Sequence, residues 1–523
     1  MNLFKAASTV SLLTLASRIT GLLRDMLQAS IFGANALTDA FTVAFRIPNL
    51  LRRLVGEGAF SQAFVPLLAA SRERDGEDAT RHLIDAVATV LLWVLVGLCV
   101  TGIVGAPLLV WLIGSGLERS GGFDPAVVMT RWMFPYIACM SLVALSAGIL
   151  NTWRRFVVPA ATPVLLNLAW IGAMLFLTPW FARWGIEPVY SLAVGVMLGG
   201  VLQLAVQVPA LKRVGALPRF GLRWRAFREA WAHAGVHEVL RKMAPALIGV
   251  SVAQISQLIN TQIASHLGAG AVSLLTYADR LMEFPSALLG VALGVVLTPQ
   301  LSAANARGDA QAYSGLIEWG LRQLLLLAVP CAVALLVFPL PLVATLFQRG
   351  AFGAEQAQAA AWAVAGYGVG LIGIVSIRIL APGYFAQRDT RTPVRVGIAA
   401  LVLTQCFNAV FVLWLQWGIA GLALSTGLGG LVNAGLLLYL LWRRGVWRPA
   451  PGWPAFLARI TAGSAVMGAG LWWAAQHIDW LGLGRQELLR AGWMAAVLAA
   501  AAVIYFGSLW LLGLRATALL RRQ

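Results

Sequence analysis

The residues of this chain best able to do chemistry are charges set where charge is expensive. Arg18, Arg24 and Asp25 interrupt one apolar stretch. Asp39, Arg46, Asn49 and Arg52 interrupt the next, with Arg53 and Glu57 just after. Later, "TYADRLMEFP" holds Asp279, Arg280 and Glu283, and Arg378 stands in a further apolar run. A charge at mid-bilayer costs about 2.5–3.5 kcal/mol on insertion scales, so such residues face a polar cavity or pair with one another. Spacing offers two pairings: Arg280 with Glu283 at i, i+3, and Asp39 with Arg46, seven apart on one helical face. Pairing does not absorb everything. Arg18, Arg24, Arg46, Arg52 and Arg53 face Asp25 and Asp39, with Glu57 just beyond. Arg53 is well placed to snorkel to the surface, and a positive surplus persists. A guanidinium keeps its charge and offers forked donors, which suits phosphate. The chemistry expected is anion binding inside a membrane; the plainer alternative is that the charges pair and snorkel.

The elements that must position these charges are membrane helices. The chain has 523 residues, 59% of them hydrophobic and 11% charged, with a mean hydropathy of +0.79. Soluble domains carry about 25% charged residues, so the composition predicts an all-α polytopic membrane protein. A span needs about 20 mostly apolar residues, which predicts about fourteen. They fall near 6–32, 36–55, 84–113, 130–150, 160–181, 189–211, 243–265, 271–300, 322–347, 358–381, 393–415, 418–442, 456–476 and 490–514. The start reads as a retained first helix rather than a cleaved signal peptide, because Arg18 and Arg24 interrupt it. Lys and Arg concentrate in alternate loops, among them Arg154 and Arg155, Lys212 to Lys242, and Arg443 to Arg448. That alternation places both termini in the cytoplasm.

An internal repeat organises the spans. "ILNTWRRFVVPAATPV" from Ile149 aligns without gaps to "ILAPGYFAQRDTRTPV" from Ile379, an offset of 230. At a similar offset "FGANALTDAFTVAF" from Phe32 roughly matches "LGAGAVSLLTYADRL" from Leu267, and Pro66 matches Pro299. Two six-helix lobes related by a pseudo-two-fold axis along the membrane normal are expected, with a site between them. The divisions are an N-lobe at 1–211, a basic amphipathic linker at 212–242, a C-lobe at 243–442, a second linker at 443–455, and two extra helices and a tail at 456–523. In the first linker, Trp224, Phe227 and Trp231 suit an anionic inner leaflet.

Other chemistries find little support. There is no GxxxxGK[ST] phosphate loop, no HExxH and no GxSxG. His233 and His237 sit at i, i+4, without a third ligand, and read as a solvated linker face rather than a metal site. Cys99, Cys139, Cys331 and Cys406 lie in apolar runs without CxxC spacing and read as small buried hydrophobes. The net charge of +18 is scattered between apolar segments, which argues for membrane topology and against nucleic acid. The acidic run "RERDGEDATRHLID" at 72–85 is the nearest approach to an enzyme's carboxylate cluster and reads as a solvated loop. No cofactor or metal is expected.

"SRITGLLRD", "TDAFTVAFRIPNLLRRLVGEGAFSQAFVPLL", "ILNTWRRF", "TYADRLMEFPSALLGVALG" and "LAPGYFAQRDTRTPV" resemble the MurJ (MviN) family, within the superfamily of multidrug, oligosaccharidyl-lipid and polysaccharide exporters. The similarity runs along essentially the whole chain. It implies a transporter rather than an enzyme: a flippase for lipid II, the undecaprenyl-diphosphate-linked disaccharide-pentapeptide, in a bacterial cytoplasmic membrane. It implies fourteen helices around a central cavity, worked by alternating access, with the last two forming a groove for the lipid tail. Partners would be lipid II, membrane lipids and other cell-wall synthesis proteins. Carried over by position, Arg18, Arg24, Asp39, Arg52 and Arg280 match the family's required charges. Arg24, Arg52 and Arg280 would contact the diphosphate or adjoining headgroup, and Asp39 would orient an arginine. Arg46, Asn49, Asp279, Glu283 and Arg378 are secondary candidates for lining or gating the cavity. Some members resemble sodium-coupled carriers with carboxylates in the seventh and eleventh helices; segments 243–265 and 393–442 here contain neither Asp nor Glu. Alternatives are a flippase for another polyprenyl-diphosphate saccharide, a cation or drug antiporter, a membrane enzyme acting on lipid diphosphates, and a scaffold for cell-wall synthesis.

Overall fold

The computed structural model describes residues 3–52 and 60–514, and among these every regular element is a helix. By internal contacts the chain divides into two compact units, Met1–Val272 and Ser273–Gln523. The first holds α1 (Leu3–Phe32), α2 (Ala36–Leu51), α3 (Phe60–Arg74), α4 (Gly76–Val104), α5 (Ala106–Gly114), α6 (Leu117–Ser120), α7 (Phe123–Met133), α8 (Tyr136–Thr152), α9 (Val157–Gly172), α10 (Thr178–Arg183), α11 (Tyr190–Arg213), α12 (Trp224–Ala232) and α13 (Ala234–Ser265). The second begins within α14 (Ala271–Ala306). It continues with α15 (Ala310–Val337), α16 (Pro339–Phe347), α17 (Ala354–Ala386), α18 (Arg391–Asn408), α19 (Gly418–Arg443), α20 (Trp453–His477) and α21 (Glu487–Leu511).

Among the described residues, ten helical stretches are long and apolar enough to cross a membrane. They coincide with the third to sixth and the ninth to fourteenth expected spans. The other four segments are helical too, as α1, α2, α13 and α14. Two boundaries need correction. The span expected at 84–113 starts at Gly76 and ends at Val104; Gly105 and Pro107 then start the separate α5. The span expected at 322–347 is Ala310–Val337, broken at Phe338 before Pro339 opens α16. Both breaks follow from proline, which cannot donate a backbone hydrogen bond but fits a helix's first turn. The acidic run at 72–85 is likewise helical, not a loop. Glu77 and Asp78 lie in the first turn of α4, where the helix dipole favours negative charge.

The repeat is visible in the backbone, in a register slightly different from the sequence match. Arg154 and Arg388 are both left-handed, with φ of 57° and 62°, and stand 234 residues apart. Each ends one helix just before the next, α8 before α9 and α17 before α18. Both following helices then widen into a π-helical turn, Ala173–Leu177 after α9 and Ala409–Trp414 after α18. Ile149 is three residues from the end of α8, whereas Ile379 is seven from the end of α17. The gapless match therefore pairs residues one helical turn out of structural register. Thr162-Pro163-Val164 recurs as Thr392-Pro393-Val394, but within the body of α9 and the first turn of α18.

In the second unit, α20 and α21 are fastened to α15 and α16. Arg322 binds Glu318 at 2.8 Å and lies over the Trp453 and Phe456 rings. The Tyr505 hydroxyl donates to the Leu326 carbonyl at 2.6 Å. Arg490, fully buried, donates to the Gln348 side chain and carbonyl at 2.7 and 2.9 Å. The cysteines are free: Cys99, Cys139 and Cys331 are half-buried and Cys406 is exposed, so the expected burial holds in part.

Candidate functional site

In the first unit the charges of α1 and α2 meet different fates. Arg24 is buried, 7% exposed, although it lies well inside a thirty-residue helix. Its Nε and Nη2 donate to Asp25 Oδ1 at 3.0 and 2.6 Å, and Nη1 donates to Asn167 Oδ1 at 3.1 Å. The guanidinium lies over the Trp170 ring, 4.2 Å from its centroid. Asn167 is fixed from its other end, donating to the Ser17 carbonyl at 3.0 Å and to Thr20 Oγ1 at 3.1 Å. Trp170 stands edge-on to Phe41 and Phe45, with centroids 5.2 and 5.1 Å away. One aromatic residue of α9 thus joins the charge of α1 to the apolar face of α2. Asn167 and Trp170 are not singled out by the sequence. The one signal is an asparagine in an otherwise apolar span.

α2 starts sharply. Asn35 accepts from the Leu37 and Thr38 backbone N–H groups at 2.9 and 3.1 Å, and Thr38 Oγ1 accepts from the Asn35 N–H at 2.8 Å. This reciprocal cap satisfies donors that a helix start leaves open. It also puts Asp39 in the first turn, buried at 1% exposure, where Oδ2 accepts from the Gly270 N–H at 2.8 Å. Gly270 has a φ of 90°, and a Cβ there would meet the Ala34 carbonyl oxygen at 2.7 Å, so only glycine lets the two backbones approach. The family resemblance implies that Asp39 orients an arginine; in the structure its Oδ2 also accepts from a backbone amide.

Further along α2, Pro48 withholds the donor for the carbonyl four residues earlier. Arg46 and Asn49 are half-buried. Arg52 folds back so that Nε and Nη2 grip Asn49 Oδ1 at 3.1 and 2.8 Å. Arg53 and Glu57 lie outside the described residues. Arg18, six residues before Arg24, is exposed.

In the second unit, Arg280 and Glu283 form the i, i+3 pair that spacing predicts. Arg280 Nη1 lies 3.0 Å from Glu283 Oε2, and the side chains are 41% and 42% exposed. Asp279 is half-buried beside them. Arg378 is exposed within α17, a helix of 33 residues. Arg18, Arg280 and Arg378 therefore present guanidinium groups at the surface of long helices. Lipid is a poor solvent for a guanidinium, so an exposed arginine within a span meets water, a headgroup, an anionic ligand or a polar group of the protein.

Comparison with known proteins supplies the family. Residues 28–484 match the profile described as "Lipid II flippase MurJ". The chain is 52% identical over 517 residues to the lipid II flippase MurJ of Burkholderia cenocepacia, covering 98% of each protein. Its fold resembles that of a solved "Lipid II flippase MurJ, inward closed conformation", with a TM-score of 0.77, 23% identity, and 96% and 99% of the two chains covered. It also resembles an inward-facing multidrug transporter of the MATE family and MOP superfamily, with a TM-score of 0.66, 15% identity, and 82% and 94% covered. A multi-pass helical membrane protein with this collinear match is a transporter, not an enzyme: the chain belongs to the MurJ family of lipid II flippases.

Proposed function

We propose that the protein moves lipid II from the inner to the outer leaflet of a bacterial cytoplasmic membrane. The observation that carries the substrate is the 52% identity over 98% of both chains to a protein named for that activity. The chemistry of the charges supports it. Arg18, Arg280 and Arg378 are exposed in helices of 30, 36 and 33 residues, and forked guanidinium donors match a diphosphate. On this reading Arg280 and Arg18 meet the anionic headgroup in a cationic central cavity. Arg52, steadied by Asn49, contacts it next, and Arg24, paired with Asp25 and tied to Asn167, holds α1 against α9 beside it. Asp39 holds the start of α2, while Arg46, Asn49, Asp279, Glu283 and Arg378 line or gate the path. A cation exporter would need acids where these arginines stand.

The lobes at 1–211 and 243–442, joined through the linker at 212–242, would alternate access while the polyprenyl tail stays in lipid beside the helices of 456–523. Both termini would be cytoplasmic. An inside-negative potential favours outward passage of an anion by about 2.3 kcal/mol per charge per 100 mV. Depletion of the protein in cells carrying a probe of lipid II sidedness is the direct test. The expected result is loss of outer-leaflet lipid II, restored by the wild-type chain; normal outer-leaflet lipid II after depletion overturns the proposal. The same assay with a different polyprenyl-diphosphate saccharide distinguishes the passenger.

A further inference from the structure

The segment between α11 and α13 is built as a rigid basic and aromatic platform rather than a loose connection. Three side chains of α4, one helical turn apart, hold it down. Asp85 Oδ1 accepts the Arg219 N–H at 2.8 Å, Thr89 Oγ1 accepts the Gly221 N–H at 3.0 Å, and Trp93 Nε1 donates to the Gly221 carbonyl at 2.9 Å. α12 then turns Ala230 into the core that contains Leu83, Ile84 and Val87, with Phe227 packed against it. An unbroken line of rings runs along the helix. Trp93 meets Trp224 and Phe227 at 5.8 Å each, Phe227 meets Trp231 at 5.9 Å, and Trp231 meets His237 at 5.6 Å.

What this platform presents outward is the unusual part. Leu222 is 76% exposed, Trp224 61% and Trp231 42%. Around them Lys212, Arg213, Arg219, Arg223, Arg225, Arg228, Arg241 and Lys242 are exposed. The acids of this stretch are Glu229 and Glu238, and Glu238 is taken by Lys242 at 2.6 Å. Depth is fixed by α4, a membrane-spanning candidate. Trp224 packs on Trp93, and one and three residues further along that span Val94 and Val96 are exposed apolar side chains. The aromatic line therefore sits at the edge of the hydrocarbon, where tryptophan is favoured. The exposed arginines flank that line in sequence.

We propose that residues 212–242 form a binding surface for anionic phospholipid headgroups, which anchors the first unit to one leaflet. Exposed rings enter the acyl boundary while the surplus of guanidinium groups collects headgroup phosphates. The clamp on α4 means that the surface is ordered before lipid arrives, so little entropy is lost on binding. This inference does not depend on which lipid is transported.

The test uses the full-length protein, stripped of lipid in detergent and titrated with phosphatidylglycerol or phosphatidylethanolamine, with retained lipid counted by native mass spectrometry. The variant carries Arg219→Gln, Arg223→Gln, Arg225→Gln and Arg228→Gln, all on exposed side chains, so its thermal unfolding should match the wild type. Each charge is worth about fivefold in affinity. The expected result is preference for phosphatidylglycerol in the wild type and a loss of about tenfold or more in the variant. Arg280→Gln, aimed at the transported lipid's site, should leave this retention unchanged. Equal retention by the quadruple variant and the wild type overturns the proposal. So does loss in Arg280→Gln instead, or displacement of the lipid by millimolar inorganic phosphate. Lipid II sidedness, measured separately on the same variants, keeps failure of this surface distinct from failure of the transport reading.

Discussion

Two arginines within long helices, Arg24 in the first unit and Arg280 in the second, show how differently one residue type is used. Arg24 is enclosed by Asp25, Asn167 and the Trp170 ring and is 7% exposed. Arg280 is paired with Glu283 at 3.0 Å, with 41% of its side chain exposed. A buried ion pair contributes little net stability when whole, but removing one partner leaves an uncompensated charge. An exposed pair is worth about 0–1 kcal/mol. Arg24 is held on three sides by buried partners, whereas Arg280 keeps a solvent-accessible pair.

The largest effect should come from Arg24→Ala. It strands the Asp25 carboxylate among buried neighbours and should lower unfolding stability by about 3–5 kcal/mol, read as a large fall in Tm in detergent. Arg24→Ala combined with Asp25→Asn should recover much of that loss; no recovery would break the picture of a mutually neutralised pair. Asn167→Ala comes next. It removes one hydrogen bond to a charged group and the tie to Ser17, which predicts about 1.5–3 kcal/mol. Arg280→Gln should shift Tm by less than about 1 kcal/mol equivalent yet lower lipid II binding by about tenfold or more, measured by retention of lipid II on the purified protein. A large Tm loss with normal binding would reverse the roles of the two arginines.

The smallest effect concerns the turn after α17. Burial alone would raise the Asp389 carboxyl, but hydrogen bonds from Arg444 and Thr392 outweigh it and hold the group at about 2, below its ordinary 3.8. Because the folded value is depressed, the pair's contribution is full above about pH 4 and fades as pH falls toward 2. The Arg444 side chain is 43% exposed and the two groups lie 2.8 Å apart, so solvent limits the contribution to about 0.2–1 kcal/mol. Asp389→Asn should lower Tm slightly at pH 7 and make no difference near pH 2. An equal effect at both values would remove electrostatics as the cause.

Much of the scaffold was legible because hydropathy and length are local properties. Ten of the expected spans recur as apolar helices of spanning length among the described residues, and the i, i+3 pair of Arg280 and Glu283 follows from helix geometry alone. Boundaries were less legible. The helices that became α4 and α15 begin several residues before their apolar windows, since a helix can carry Glu77, Asp78 and Arg81 out to the polar edge. The repeat was legible as a fact but not in register. The left-handed Arg154 and Arg388 show no sequence signal that outweighs a chance match of Ile-Leu and Thr-Pro-Val.

Sequence by itself determined that charge sits inside an apolar, many-helix chain, that arginine outweighs acid there, and which family's segments it resembles. Each of those depends on residue type and near-neighbour spacing. Only the tertiary structure decided which arginine is buried and which is exposed. Asn167 and Trp170 reach Arg24 from more than 140 residues away, and Asp39 accepts from the Gly270 amide across 231 residues. Helical periodicity relates positions three or four apart; the partner of a buried charge is set by which helices pack together.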